Sequence, residues 1–248
     1  MIEIAKATRD DLQSIHDMAQ VVFRHTYRDI LSPEQMEYMM DMMYSLPNLR
    51  AQLDEGHHYY IAYMSPDQET NTHQESSTNH ESSIHQEDTA PHEGGAPGRC
   101  NDVASSDDSA SAVCEARASI LPIPCGYVSV QHEGPDQDGT EIFHLHKIYV
   151  MPEAQGRGVG MRLFQTVVQH VKSVLQPRSA GDDPSAIINP ELAAAQSATA
   201  KARIELNVNK FNSAVNFYKH LGMRILLEED FPIGNGFYKT DYIMGLDV

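Results

Sequence analysis

Residues 147 to 161 read K-I-Y-V-M-P-E-A-Q-G-R-G-V-G-M, a strand signal that passes through a glycine turn into a helix signal. Phe143 to Val150 is rich in β-branched and aromatic residues, and Pro152 ends the strand because proline has no N–H for a ladder. After the turn Gln155-Gly156-Arg157-Gly158-Val159-Gly160, apolar residues recur at Leu163, Val167, Val171 and Val174. Phe164, Val168 and Leu175 lie beside them, as on one face of an amphipathic helix. Three glycines therefore stand between a strand and a helix N-terminus. The first turn of a helix carries unpaired N–H groups and a partial positive charge. Glycine permits φ > 0 and lets an anion come close to those groups. The stretch predicts a pyrophosphate site; a glycine turn without a ligand is the alternative.

Two common phosphate motifs are excluded. The stretch lacks G-x-x-x-x-G-K-[ST]. Its glycine spacing is not that of the dinucleotide fingerprint, and no acidic residue follows about 20 positions on. A net charge of −17 argues against holding nucleic-acid phosphates and suits a cationic partner. No apolar run is long enough for a transmembrane helix, and the first residues are not those of a signal peptide. Cys100, Cys114 and Cys125 are odd in number and show no C-x-x-C spacing, so they read as reduced thiols of a cytoplasmic protein.

From the N-terminus, Ile2 to Ala7 alternates as a strand. Thr8 with Asp11 forms a capping box, and a stripe of Leu12, Ile15, His16, Ala19, Val22 and Phe23 predicts a helix to about His25. Ser32-Pro33 starts a second, methionine-rich helix, either flexible core filler or an adaptable wall for an aliphatic substrate. Asn48 to Asp54 reads as a short helix and His57 to Met64 as a strand. Residues 65–119 carry 11 acidic residues against Arg99 and Arg117 and almost no large apolar side chain, and are expected to be a disordered acidic insertion. His73, His80, His85 and His92 recur within it, but without cysteines or fixed spacing a solvated linker is favoured over a metal tract. Cys125 to Glu133 and the strand before the glycine turn are expected to form a hairpin. Residues 177–200, with several prolines and an alanine-rich piece, form a second low-complexity insertion. About 170 residues remain, which is a single-domain size.

Further on, Arg203 to Val208 reads as a strand and Lys210 to Leu221 as a helix ended by Gly222. Ile225 to Glu229 and Asp241 to Leu246 are two last strands, joined by Phe231 to Tyr238.

Gln155-Gly156-Arg157-Gly158-Val159-Gly160 matches Q/R-x-x-G-x-G/A, the acetyl-CoA signature of the GNAT superfamily of N-acetyltransferases, and the chain resembles a member. A second segment agrees: Ala214-x-x-Phe217-Tyr218-x-x-x-Gly222-Met223 is similar to the superfamily pattern A-x-x-F-Y-x-x-x-G-F. It departs in having Phe211, flanked by Asn209 and Asn212, where the family usually has asparagine. Thr240-Asp241-Tyr242-Ile243-Met244, with Thr26 to Asp29 and Ser32 to Glu34, resembles the PaiA-type branch, bacterial enzymes that acetylate polyamines.

The resemblance implies one α/β (α+β) domain over 1–248, interrupted by the two insertions. Its central sheet would be mixed but mostly antiparallel, with six to seven strands flanked by helices and strands four and five splayed into a V. Acetyl-CoA would insert there. Its pantetheine would pair with the backbone of Ile148, Tyr149 and Val150, and its pyrophosphate would sit on N–H groups of Arg157, Gly158, Val159, Gly160 and Met161. Gln155 and Gly156 would assist, and Asn209 or Asn212 would meet the cofactor. No metal is implied. Direct transfer to a small amine, with a polyamine as leading guess, needs a base. His146 falls where polyamine-type relatives carry a glutamate base; His144 and Glu205 are the alternatives, and a histidine without a proton role stays open. Tyr218 takes the family's general-acid position, with core packing as the other reading. Cys125, remote from the motifs, is a poor nucleophile candidate. Asp29, Glu34, Glu37, Asp41 and Asp241 could attract a cationic amine. A peptide or lysine acetyltransferase, or a non-catalytic acyl-CoA sensor, is the other reading. No nucleic acid or membrane partner is expected, and a homodimer stays open.

Overall fold

The computed structural model describes residues 1–65, 122–176 and 201–248. The insertions read from the sequence, apart from Ser65, lie outside the described residues. β1 (Ile2–Lys6) leads into the Thr8 cap, where the Asp11 carboxylate accepts from the Thr8 N–H at 2.7 Å. The cap closes a single 3₁₀ turn, Arg9–Asp11, which runs on into α1 (Leu12–Tyr27). α2 (Pro33–Tyr44) starts where Ser32 Oγ accepts from Gln35 N–H, and α3 (Leu46–Asp54) follows directly. Next come β2 (His58–Met64), β3 (Ile123–Pro135), β4 (Glu141–Val150), a 3₁₀ turn at Pro152–Ala154 and α4 (Val159–Leu175). β5 (Ala202–Asn209), α5 (Ala214–His220), β6 (Arg224–Gly234) and β7 (Phe237–Asp247) complete the chain.

The seven strands form one open sheet in the order β1-β2-β3-β4-β5-β7-β6. Every neighbouring pair is antiparallel except β4 and β5. One face packs against α4 and α5 through Phe143, Leu145, Leu163, Val167, Ile204 and Leu206. The other packs against α1–α3 through Phe23, Met39, Tyr44, Tyr59 and Tyr127. Each fully buried aliphatic side chain contributes roughly 1.5–3 kcal/mol of burial free energy, so the α4 stripe holds that helix, and with it the glycine turn, against the centre of the sheet. No helix among the described residues is long and apolar enough to cross a membrane.

Three elements differ from expectation. The helix expected from Lys210 begins only at Ala214. Asn209 Oδ1 accepts from Phe211 N–H at 3.0 Å and Asn212 Oδ1 from Ala214 N–H at 2.9 Å, and these local bonds compete with helical ones. The last two strands are longer than expected and form a hairpin closed at Asn235-Gly236, with Asn235 at φ 49°. Most of the expected Phe231–Tyr238 connection is therefore strand.

Candidate active site

The parallel ladder between β4 and β5 runs from Glu141↔Ala202 to His144↔Glu205 and stops there. Beyond it the strands part: β5 continues to pair with β7 on its other edge, and β4 keeps only β3. From Leu145 onward β4 therefore has one unpaired edge, and alternate backbone N–H and C=O groups on it are free to bond an extended ligand. A cleft of about 480 Å³ opens at this point. Its walls include Leu145 to Val150 of β4, Leu206 to Val208 of β5, and Phe217 and Tyr218 of α5.

The cleft ends at the glycine turn. Gln155, Gly156, Gly158, Val159, Gly160 and Met161 all line it; Arg157 is the one residue of the turn that does not, and its guanidinium lies 3.5 Å from Met64 Sδ. Gln155 Nε2 donates to the Val150 carbonyl at 3.2 Å, which ties the turn to the end of β4. Gly156 and Gly158 have φ of 73° and 82°, and a Cβ at either would meet nothing within 4 Å. The turn thus leaves open space before the N–H groups that begin α4. Gly160 has a different reason. Its Cβ would stand 3.3 Å from the Phe217 ring, so this glycine lets α4 and α5 approach.

A β-bulge shapes the chemistry at the head of the cleft. Ser129 pairs with Lys147 and Val130 with Leu145, so His146 is the extra residue of β4. The bulge reverses the alternation of side chains. Phe143 and Leu145 face the α4 core before it, and Ile148 and Val150 do so after it. His146 and Lys147 consequently lie on the same face. Lys147 is almost fully buried; its ammonium nitrogen donates to Gln52 Oε1 at 2.7 Å and lies 5.5 Å from the centre of the Tyr59 ring. Burial, with Lys239 second, pulls its pKa down to about 7.

His146 lies between His57 and His144, with tilted rings at ring-centre distances of 4.3 and 4.5 Å. Gln131 Nε2 donates to the Glu55 carbonyl, which leaves Gln131 Oε1 to accept from His146 Nε2 at 3.1 Å. The imidazole proton is thereby assigned to Nε2, and the lone pair to Nδ1. Burial first, then His144, His57, Lys147 and Lys239, hold the conjugate acid of His146 down to about 2. His144 and His57 are each held near 4, again mainly by burial. The three rings are neutral at physiological pH. His144 and Glu205, opposite each other at the last rung of the ladder, do not line the cleft; Glu205 lies 3.4 Å from Arg203.

Tyr218 of α5 is buried against the α4 side of the core but opens on the cleft, and burial raises its pKa above the ordinary phenol value. Asn212 also lines the cleft; its Nδ2 donates to Tyr27 Oη at 3.5 Å while its Oδ1 serves as the local cap. Asn209 does not; it lies in a smaller recess next to the cleft, with Asp241, Lys239 and Met39. Cys125 is buried on β3, and burial pushes its thiol up, contrary to what a nucleophile requires. Sequence reasoning missed Lys147 and the Tyr27 wall. A lysine directly before the apolar run Ile148-Tyr149-Val150 was the available signal for the first.

Residues 108–224 match a family model described as Acetyltransferase (GNAT) domain. No curated protein matches the chain significantly in sequence. Among solved structures the chain is similar to a PaiA N-acetyltransferase from Thermoplasma acidophilum in complex with coenzyme A. Identity is 16%, the TM-score 0.53, and the coverage 100% of this chain and 99% of that one. A GCN5-related N-acetyltransferase from Rhodopseudomonas palustris aligns at 15% identity and TM-score 0.52, over 99% of this chain and 95% of that one. These two likenesses agree in fold with the parallel β4–β5 pair and the cleft it opens. Together with the family-model match, which spans residues 108–224 and takes in β3, β4, α4, β5 and α5, they identify the fold as that of GNAT acetyltransferases.

Proposed function

We propose that this domain uses acetyl-CoA to acetylate a small primary amine by direct transfer, with a polyamine-type acceptor as the leading class. The observation that carries the proposal is the continuity of the free β4 edge with the open glycine turn at the N-terminus of α4. An extended pantetheine arm needs backbone partners along a strand, and a pyrophosphate needs clustered N–H groups with room before them. The residues present fit both. Ile148, Tyr149 and Val150 would hold the arm. Gly156, Gly158, Val159, Gly160 and Met161 would hold the phosphates, with Gln155 fixing the turn and Asn212 shaping the wall.

The thioester supplies the activated acetyl group; the chain must supply a neutral amine, a path for one proton and an acid for the leaving sulfur. An alkylammonium has a pKa near ~10.4 in water. Lys147, a buried amine beside His146, titrates near 7, so the same surroundings disfavour charge on an acceptor amine held there. With its conjugate acid near 2, His146 is suited to accept a hydrogen bond at Nδ1 and orient the amine lone pair, rather than to store the proton. As nitrogen bonds to the acetyl carbon and the carbon–sulfur bond breaks, the amine proton passes to water. The Tyr218 phenol lines the cleft and burial favours its protonated form; it would donate its proton to the thiolate and regain one from water.

The test is thiol release from acetyl-CoA with a panel of polyamines, aminoglycosides, amino acids and peptides. Turnover with alkyl di- or polyamines is expected. Turnover confined to peptides would replace the acceptor class, and no release with any amine would remove the enzyme reading.

A further inference from the structure

Next to the cleft, on the α1–α2 side of the sheet, a recess of about 40 Å³ is walled by Phe23, Leu31, Met39, Met43 and Tyr149, with Asp241 at its base. Asp241 is 1% exposed, and among the described residues neither carboxylate oxygen has a hydrogen-bond partner. Its one ion-pair partner among the described residues is Lys239, whose Nζ stands 3.0 Å from Oδ2 without the alignment of a hydrogen bond. Lys239 itself keeps 30% of its side chain exposed. A carboxylate sealed among apolar side chains is costly unless a cation meets it. Here the cation is a flexible side chain reaching in from the surface.

The recess and the cleft share walls at His146, Tyr27, Tyr149 and Asn207, whereas Asp241 and Lys239 belong to the recess alone. A group on Asp241 is therefore outside the place where the thioester would react. We propose that Asp241 anchors a second, non-reacting ammonium of the acceptor, and that Lys239 holds this place until the acceptor ammonium displaces it. The reacting amine then stands at His146, and an aliphatic chain between the two nitrogens meets the methionine and aromatic walls. This rests on the amine acceptor proposed above and narrows it to alkyl diamines and polyamines over monoamines.

The experiment is steady-state kinetics at saturating acetyl-CoA with α,ω-diaminoalkanes and n-alkylamines of equal chain length. Wild type is expected to favour the diamine at least about tenfold in kcat/KM, in the range of a desolvated charge contact. In Asp241→Asn that preference should shrink to within about threefold, with the KM for acetyl-CoA unmoved, as loss of one charge contact requires. Lys239→Met removes the competitor and should lower the diamine KM. A preference that survives Asp241→Asn overturns the proposal, and so does an unchanged diamine KM in Lys239→Met, which also decides the matter if the Asn variant does not fold. Should no amine be acetylated, the enzyme reading fails separately. Calorimetry of a diamine on the CoA-loaded wild type and Lys239→Met then decides the anchor, and absence of binding overturns it.

Discussion

His57 offers a quantitative test of how strongly this fold suppresses charge at the head of the cleft. It is 7% exposed, its Nδ1 meets Ser129 Oγ at 3.1 Å, and burial with Lys147 and His144 nearby holds its pKa near 4. In the unfolded chain a histidine titrates near ~6.5. Between those values the unfolded state binds the proton and the folded state does not, so stability falls as pH falls from the unfolded toward the folded pKa. At about 1.36 kcal/mol per pKa unit, lowering the pH from about 8 to about 5 removes up to about 2 kcal/mol through His57 alone. His57→Gln retains a partner for Ser129 and cannot take the proton. Urea unfolding at the two pH values, with ΔG taken from linear extrapolation, should show wild type losing about 2 kcal/mol more than the variant. Equal losses would refute the assignment of a neutral, charge-excluding histidine cluster.

Three other outcomes follow from the site. Tyr218→Phe should lower kcat by about a hundredfold with saturating amine, leaving the acetyl-CoA KM nearly unchanged, if the phenol is the acid; wild-type kcat would leave Tyr218 as packing. Gly160→Val puts a branched side chain against Phe217, already 3.3 Å from a bare Cβ, and should destabilise by about 1–3 kcal/mol in chemical unfolding. The profile of kcat/KM against pH should lack an acidic limb near 6.5, because His146 stays neutral well below it; a limb that disappears in His146→Gln would restore it as the base.

The site was legible in sequence wherever local chemistry sets the backbone. Pro152, the two glycines at positive φ and the α4 stripe specify strand, turn and helix within a few residues. The Ala214–Tyr218 pattern placed the acid candidate on the cleft wall. The bulge at His146 was not legible, because it depends on the register against β3. Simple alternation would put Lys147 opposite His146, whereas the extra residue turns both to one face. The late start of α5 depends on two asparagine side chains that bond their own backbone, a competition visible as Asn209 and Asn212 but not decidable from them. Asp241 was readable as an acidic residue; its burial under Lys239 depends on β7 lying beside β5 and was not.

Whether the glycine turn holds the pyrophosphate of acetyl-CoA is tested most directly by calorimetric titration with acetyl-CoA. Gly158 has open space around its Cβ position, and at φ 82° asparagine and aspartate are among the better tolerated replacements. Gly158→Asn and Gly158→Asp introduce side chains of equal size, and only the second adds a negative charge. Both variants should stay folded by circular dichroism. Acetyl-CoA affinity should fall at least about tenfold further in Gly158→Asp than in Gly158→Asn, as charge repulsion at the phosphates requires. Equal affinity of wild type and a folded Gly158→Asp variant would contradict the account.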